Sequence, residues 1–210
     1  MHVNRTHLVG ALVTVGLIVP ATALAATIDG GPAGERLRGT RMADVINGHG
    51  GNDRILGFGG PDRLSGDEGR DRVFGGRGDD LLSGGEGRDR LFGGRGNDVS
   101  AGGGGNDRLV GGPGDDRQDG GPGDDVLWAL ARHDVRPGPG GGVDQVGDTL
   151  DGGPGDDRLN TRDGEVDRIT CGPGQDVARL DQVDVITDAT AAAPQGSCER
   201  VERRAPRPRR

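Results

Sequence analysis

Aspartate stands at every ninth position from Asp44 to Asp125, with Glu35 opening the row, and glycine stands at every ninth position from Gly30 to Gly120. Carboxylates repeated at one spacing beside glycine-rich turns can gather hard oxygen atoms around a cation. Glycine reaches backbone conformations with positive φ that other residues avoid, so two or three glycines per block permit a tight turn whose carbonyls converge on one point. Calcium takes about six to eight oxygen ligands at about 2.3 to 2.6 Å, and it favours carbonyls together with an Asp carboxylate. The repeats hold neither a cysteine nor a histidine pair, so nothing in them suits zinc.

To bring such groups together, like turns must be stacked, and a fixed short period is the mark of a solenoid. Written as G-G-x-G-x-D-x-U-x with U apolar, the clearest blocks are Gly75-Gly76-Arg77-Gly78-Asp79-Asp80-Leu81-Leu82-Ser83, Gly84-Gly85-Glu86-Gly87-Arg88-Asp89-Arg90-Leu91-Phe92 and Gly102-Gly103-Gly104-Gly105-Asn106-Asp107-Arg108-Leu109-Val110. This pattern resembles the RTX, or hemolysin-type, calcium-binding nonapeptide. The resemblance is clear for residues 47–127, weaker for 29–46 and patchy beyond Trp128. It implies an all-β, right-handed parallel β-roll, a β-solenoid with about 18 residues per coil, in which six-residue turns bind calcium and three-residue strands carry one inward apolar side chain. On that resemblance the metal carboxylates are Asp53, Asp62, Asp71, Asp80, Asp89, Asp98, Asp107, Asp116, Asp125 and Asp157. The turn glycines are Gly75, Gly78, Gly84, Gly87, Gly93, Gly96, Gly102, Gly105, Gly111 and Gly114.

Two blocks make one coil, so like turns recur at every second block and alternate blocks share a side. One side offers Asp53, Asp71, Asp89, Asp107 and Asp125, and the other offers Asp62, Asp80, Asp98 and Asp116. If each ion is shared between stacked turns, residues 47–127 hold up to about seven calcium ions. The last position of the block shows the longer period directly: Leu56, Phe74, Phe92, Val110 and Trp128 alternate with Ser65, Ser83, Ala101 and Asp119. One edge is apolar and the other polar. The apolar ladder either widens the core, or is covered by the chain's own C-terminal segment, or serves self-association or a surface partner.

Composition says what must hold such a roll together. Glycine makes up 45 of 210 residues and aromatics 2%, so each block sets one apolar side chain against the backbone entropy of nine residues. Carboxylates on neighbouring coils, about 4.8 Å apart, add roughly 1 to 3 kcal/mol of repulsion per pair. A divalent cation reverses that sign. Calcium binding and folding are therefore expected to be one thermodynamic event.

The ends read differently from the repeats. Arg5, the apolar run from Leu8 to Val19, Pro20 and Ala23-Leu24-Ala25 have the form of a secretory signal peptide spanning residues 1–25, and the run is too short to span a bilayer. A secreted, extracellular chain without a transmembrane anchor after cleavage is expected. Residues 1–25 carry Arg5 and no acid, so the formal charge moves from −8 to −9 on their removal. Within the roll of 26–127, units 29–46 depart from the pattern at Ala33, Glu35, Thr40 and Met42 and read as degenerate N-terminal cap turns. Residues 128–159 read as irregular coils, with Asp134 in register, a loop at Pro137 to Gly142 leading to Asp144, and one good repeat at 151–159. Residues 160–202 read as a small β-rich C-terminal cap stapled by a Cys171–Cys198 disulfide, which closes the open sheet edges. Closing 28 residues contributes about 3.6 kcal/mol in the chain-entropy treatment. Arg203 to Arg210 read as a disordered basic tail, with an anionic wall polymer or surface as its alternative partner.

Several functions are excluded. A nucleic-acid role needs a basic surface with stacking aromatics, and an acidic chain whose Arg54, Arg63, Arg72, Arg90, Arg108 and Arg117 face solvent lacks that combination. His133-Asp134 is the sole route to a Ser/His/Asp site, and no G-x-S-x-G elbow occurs. Neither a phosphate loop nor a collagen repeat fits, since the chain contains no lysine and its glycine period is nine. The leading reading is a secreted, non-enzymatic calcium-binding β-roll that calcium orders outside the cell. One alternative is a calcium-gated adhesive or cell-surface structural protein; another is a secretion module related to RTX toxins or enzymes.

Overall fold

Each repeat places an apolar residue two positions after its carboxylate, as in Asp53-Arg54-Ile55 and Asp89-Arg90-Leu91. That alternation is the period of a strand with one buried face. The computed structural model describes residues 24–129, 147–161, 166–187 and 197–204, and every regular element within them is a strand. In chain order these are β1 (Thr27–Asp29), β2 (Arg36–Arg38), β3 (Val45–Asn47), β4 (Arg54–Leu56), β5 (Arg63–Gly69), β6 (Arg72–Arg77), β7 (Leu81–Gly87), β8 (Arg90–Arg95), β9 (Val99–Gly104), β10 (Arg108–Val110), β11 (Arg117–Asp119), β12 (Val126–Trp128), β13 (Thr149–Asp151), β14 (Arg158–Asn160), β15 (Arg168–Thr170), β16 (Val177–Leu180), β17 (Val185–Ile186) and β18 (Arg200–Arg203). The odd-numbered strands form one nine-stranded sheet and the even-numbered strands another, and the pairings are parallel. Ile46 stands opposite Leu64, and Leu64 opposite Leu82, so one coil is two nonapeptide blocks. This is the all-β parallel β-roll that the repeat implies.

The middle residue of each short strand points between the sheets. Ile46, Leu64 and Leu82 from the odd sheet meet Ile55, Val73, Leu91, Leu109 and Leu127 from the even sheet, all buried in one continuous core. Two neighbouring inward positions break the apolar rule: Ser100 and Gln118 stand opposite each other in β9 and β11. Gln118 meets part of its polar need by donating Nε2–H to the Trp128 carbonyl at 2.9 Å.

Residues on either side of the inward one face outwards. On the even sheet Leu56, Phe74, Phe92, Val110 and Trp128 pair in continuous register as one half-buried column. The Phe74 and Phe92 rings stack with centroids 4.9 Å apart. Ser65, Ser83, Ala101 and Asp119 form the corresponding column of the odd sheet. The alternation seen in the sequence is thus a difference between two sheet faces.

The corners explain the third glycine of the block. At Gly87 φ is +144°, and a Cβ added there would collide with the backbone oxygen of Gly69, one coil earlier. Gly87→Ala is therefore expected to lower stability by about 3 kcal/mol or more in calcium. At Gly104, by contrast, an added Cβ meets only the mobile carboxylate end of Glu86, and Gly104→Ala should stay within about 0.5 kcal/mol of the parent. Chemical denaturation of the two variants gives the comparison. Glycine is not universal at these corners, since His49, Phe58 and Asp67 hold φ of 71°, 77° and 71°. Bulk alone does not bar that conformation here, and for Phe58 this departs from the expected steric rule.

Between β12 and β13 the roll takes in extra chain. Asp116 and Asp148 occupy successive coils although they lie 32 residues apart, against 18 for Asp98 and Asp116. The surplus is one nonapeptide block and a further five positions. The place that sequence register gives to Asp134 is filled by Asp148. Asp134, His133, Pro137 to Gly142 and Asp144 lie outside the described residues, as do 1–23 of the signal reading. The repeat at 151–159 rejoins the stack, and the five surplus positions account for its shift in phase.

The segment read as a cap is built from the same coils. β15 and β17 extend the odd sheet, and β16 and β18 end the even one. Cys171 and Cys198 form the expected disulfide. Beside it, Ser197 Oγ accepts N–H bonds from Cys171 and Gly172 at 2.9 and 3.1 Å. Arg203, read as the first residue of the tail, closes β18, and its Nη1 donates to the carbonyls of Asp181 and Asp184 at 3.1 Å each. Residues 205–210 lie outside the described ones.

Candidate metal centre

Two columns of acids run along the corners between the sheets. One comprises Glu35, Asp53, Asp71, Asp89, Asp107, Asp125, Asp157, Asp176 and Glu199; the other comprises Asp44, Asp62, Asp80, Asp98, Asp116, Asp148, Asp167 and Asp184. Each acid follows a turn and precedes a strand, so the coil repeat stacks carboxylate on carboxylate. One oxygen of each is used by the backbone. Asp53 N–H donates to Asp71 Oδ1 at 2.7 Å, Asp71 N–H to Asp89 Oδ1 at 2.8 Å, and Asp80 N–H to Asp98 Oδ1 at 2.8 Å. Such bonds to an ionised acceptor are among the stronger ones. The peptide thus carries part of the neutralising that the sequence assigns wholly to cations.

The other oxygen is where the chemistry lies. Oδ2 of Asp53, Asp62, Asp71, Asp80, Asp89, Asp98, Asp107, Asp125, Asp157 and Asp176 is buried without a hydrogen-bond partner. A buried carboxylate oxygen lacking any donor is costly unless a proton or a cation meets it. The first glycine of each turn makes room beside it. A Cβ built on Gly48 would lie 2.5 Å from Asp53 Oδ2 and 2.7 Å from the Gly66 carbonyl oxygen of the next coil. A carboxylate oxygen and a carbonyl oxygen therefore border one spot, and this pairing recurs along the roll. Among the described residues no group of three or more His, Cys, Asp or Glu side chains converges. A cation here must draw largely on backbone carbonyls, a donor balance that suits calcium.

Turns at the two ends satisfy themselves. Gly31 N–H donates to Glu35 Oε2 at 2.7 Å, and Thr40 N–H donates to Asp44 Oδ2. At the far end Asp184 Oδ2 accepts from the Thr161 hydroxyl at 2.6 Å and from Asp181 N–H at 2.7 Å. Asp44, whose Oδ1 accepts Ala26 N–H, and Asp184, whose Oδ1 accepts Asp167 N–H, have no second oxygen left over, unlike the ten just named.

Burial, opposed by the backbone N–H bond and reinforced by neighbouring acids, pushes the carboxyls up from 3.8. Asp62 and Asp80 rise to about 6, and Asp89, Asp98, Asp125 and Asp157 to about 7. Asp176 also rises to about 6, again mainly through burial. Without a cation these columns hold protons at a pH where free carboxylates have lost them.

All ten aspartates singled out in the sequence lie in the columns. The ten glycines divide into two jobs. Gly75, Gly84, Gly93, Gly102 and Gly111 give space to the Oδ2 of Asp80, Asp89, Asp98, Asp107 and Asp116, while Gly78, Gly87, Gly96, Gly105 and Gly114 have positive φ and press against the preceding coil. Asp148, Asp167 and Asp176 join the columns although the nine-residue register misses them. Their signal was local: Asp148-Thr149-Leu150, Asp167-Arg168-Ile169 and Asp176-Val177-Ala178 keep the carboxylate two residues before the inward side chain.

Oxygen-lined corners stacked along a parallel β-solenoid define a repeat protein built around cation sites. A family profile described as the RTX calcium-binding nonapeptide repeat matches residues 29–64, 56–91, 65–100, 92–127, 101–134 and 147–165, more than half of the chain. The chain belongs to that family and is a calcium-binding β-roll protein. No curated protein matches it, and neither does any solved structure.

Proposed function

We propose that the chain is exported by its N-terminal segment and takes up several calcium ions at its corners, and that these ions drive folding outside the cell. The observation that carries this reading is the run of buried Oδ2 atoms without donors, eight of the ten beside a carbonyl of the adjoining coil. Asp53, Asp62, Asp71, Asp80, Asp89, Asp98, Asp107, Asp116, Asp125 and Asp157 would hold the metal with the carbonyls of their glycine turns. Asp148, Asp167 and Asp176 extend the same columns. Calcium would supply the charge that makes two facing carboxylates attractive rather than repulsive. Units 29–46, where Gly31 N–H already bonds Glu35 and Thr40 N–H already bonds Asp44, serve as caps. The role is binding and structural, not catalytic. Export suits weak extracellular sites, which can work at Kd of about 10⁻⁴ to 10⁻³ M.

Isothermal titration of residues 26–210 with calcium is the test. Saturable uptake of several ions is expected, up to about seven for 47–127. Absence of any heat or bound metal at millimolar calcium would overturn the reading. An adhesive or cell-surface role is a second reading, favoured by the outward column from Leu56 to Trp128.

A further inference from the structure

The outer face of the even sheet differs in charge from the rest of this acidic chain. Arg36, Arg54, Arg72, Arg90 and Arg108 pair in unbroken register as a single file of exposed side chains. Arg38 adds a sixth cation beside them, and the outward positions of β2, β4, β6, β8, β10 and β12 contain no acid. None of the five makes an ion pair among the described residues. The corresponding strands of the odd sheet, β1 to β11, carry Arg63 and Arg117 against Asp29, Asp67, Glu68, Glu86 and Asp119, an acidic excess. Five unpaired cations in file repel one another, and the cost is offset when an anionic partner lies along them.

From this file of cations we infer that the even-sheet face is a docking surface for a linear acidic polysaccharide bearing one carboxylate per sugar, laid parallel to the roll axis. Spacing argues for that partner. Coils follow one another at about 4.8 Å, close to the length of one pyranose ring along its chain, so a sugar chain advances by about one residue per coil and its charge repeat stays in step with the file. One strand of duplex DNA places its phosphates about 3.4 Å apart along the axis. An extended acidic peptide places same-face side chains about 6.7 Å apart. Both fall out of step within a few coils. The neighbouring column fits the same occupant. Phe74 and Phe92 lie against each other, and the Arg54 guanidinium covers Phe74 at 5.4 Å. Both faces of Phe74 and one face of Phe92 are thus taken, which leaves little for nucleic-acid bases to stack on. Neither phenylalanine is among the exposed large apolar side chains, so neither projects far enough to enter a lipid layer. What remains is a low apolar shoulder beside a row of charge, on which a flat ring can rest.

The inference needs the roll to be folded, and so rests on calcium binding. Fluorescence polarisation of a labelled octameric galacturonate against the calcium-loaded chain tests it, with a fully methyl-esterified octamer, a single-stranded oligonucleotide and anionic phosphatidylglycerol vesicles as comparison probes. The acidic octamer is expected to bind. Arg54→Gln, Arg72→Gln, Arg90→Gln together should weaken it about tenfold or more, because three charge-assisted contacts are lost. Arg63→Gln, Arg117→Gln on the other sheet should leave it unchanged. Circular dichroism and calcium titration of each variant establish that the roll is intact. A folded, calcium-loaded chain that ignores the octamer, that binds its esterified form equally well, or that loses no affinity in the triple variant overturns the inference and leaves the calcium reading standing. Preference for the oligonucleotide or the vesicles also overturns it. A chain that takes up no calcium defeats the earlier reading instead.

Discussion

With calcium chelated at about pH 8, the chain is expected to lose its strand signal in far-UV circular dichroism, and to recover it when calcium is returned or when the pH is lowered to about 4.5. Burial lifts Asp89, Asp98, Asp125 and Asp157 from 3.8 to about 7. A carboxyl whose pKa rises on folding binds its proton more tightly in the folded state. Its contribution is therefore complete below about pH 4 and is lost as the pH climbs through 7. Asp62, Asp80 and Asp176, raised to about 6, begin that loss earlier. At the proposed sites calcium would compete with protons for the same Oδ2 atoms, so apparent calcium affinity should fall as the pH drops below 7. A chelated sample that keeps the same spectrum from pH 4.5 to 8 would show that the columns tolerate full charge unaided.

Asp89→Asn should separate the two demands made on one side chain. The amide oxygen can still accept Asp71 N–H, the bond now made at 2.8 Å. At the position of Oδ2 it places a neutral donor beside the Gly102 carbonyl, which borders the same spot. In chelator at about pH 5, where the parent is still folded, the variant should gain roughly 1 to 3 kcal/mol of stability, because it no longer has to take up a proton on folding. In calcium it should bind about one or two fewer ions and unfold at a lower temperature, since each metal site contributes its binding energy to folding. Denaturant titrations with and without calcium read both effects. A loss of similar size in both conditions would mean that Asp89 acts through its backbone bond alone.

The repeat made the fold legible because a nine-residue period with one apolar position admits few arrangements. The Asp53 to Asp125 set, the inward positions and the two unlike faces follow from it. What the period could not reveal was the use of Oδ1 by the peptide one coil back, since hydrogen bonding between coils depends on register in three dimensions. The insert before Asp148 hid the later acids for a related reason. Counting along the chain assumes an unbroken stack, whereas the strands find their partners by side-chain pattern across the surplus.

The alternation of the two sheets also bears on how such a chain can lengthen. Duplicating a single block would carry everything downstream to the opposite wall, so the guanidinium file would be cut and its halves left back to back. Copying a pair preserves both walls. Gene-level expansion or contraction of this array should therefore survive selection in even numbers of blocks wherever a face, rather than the ions alone, is under constraint.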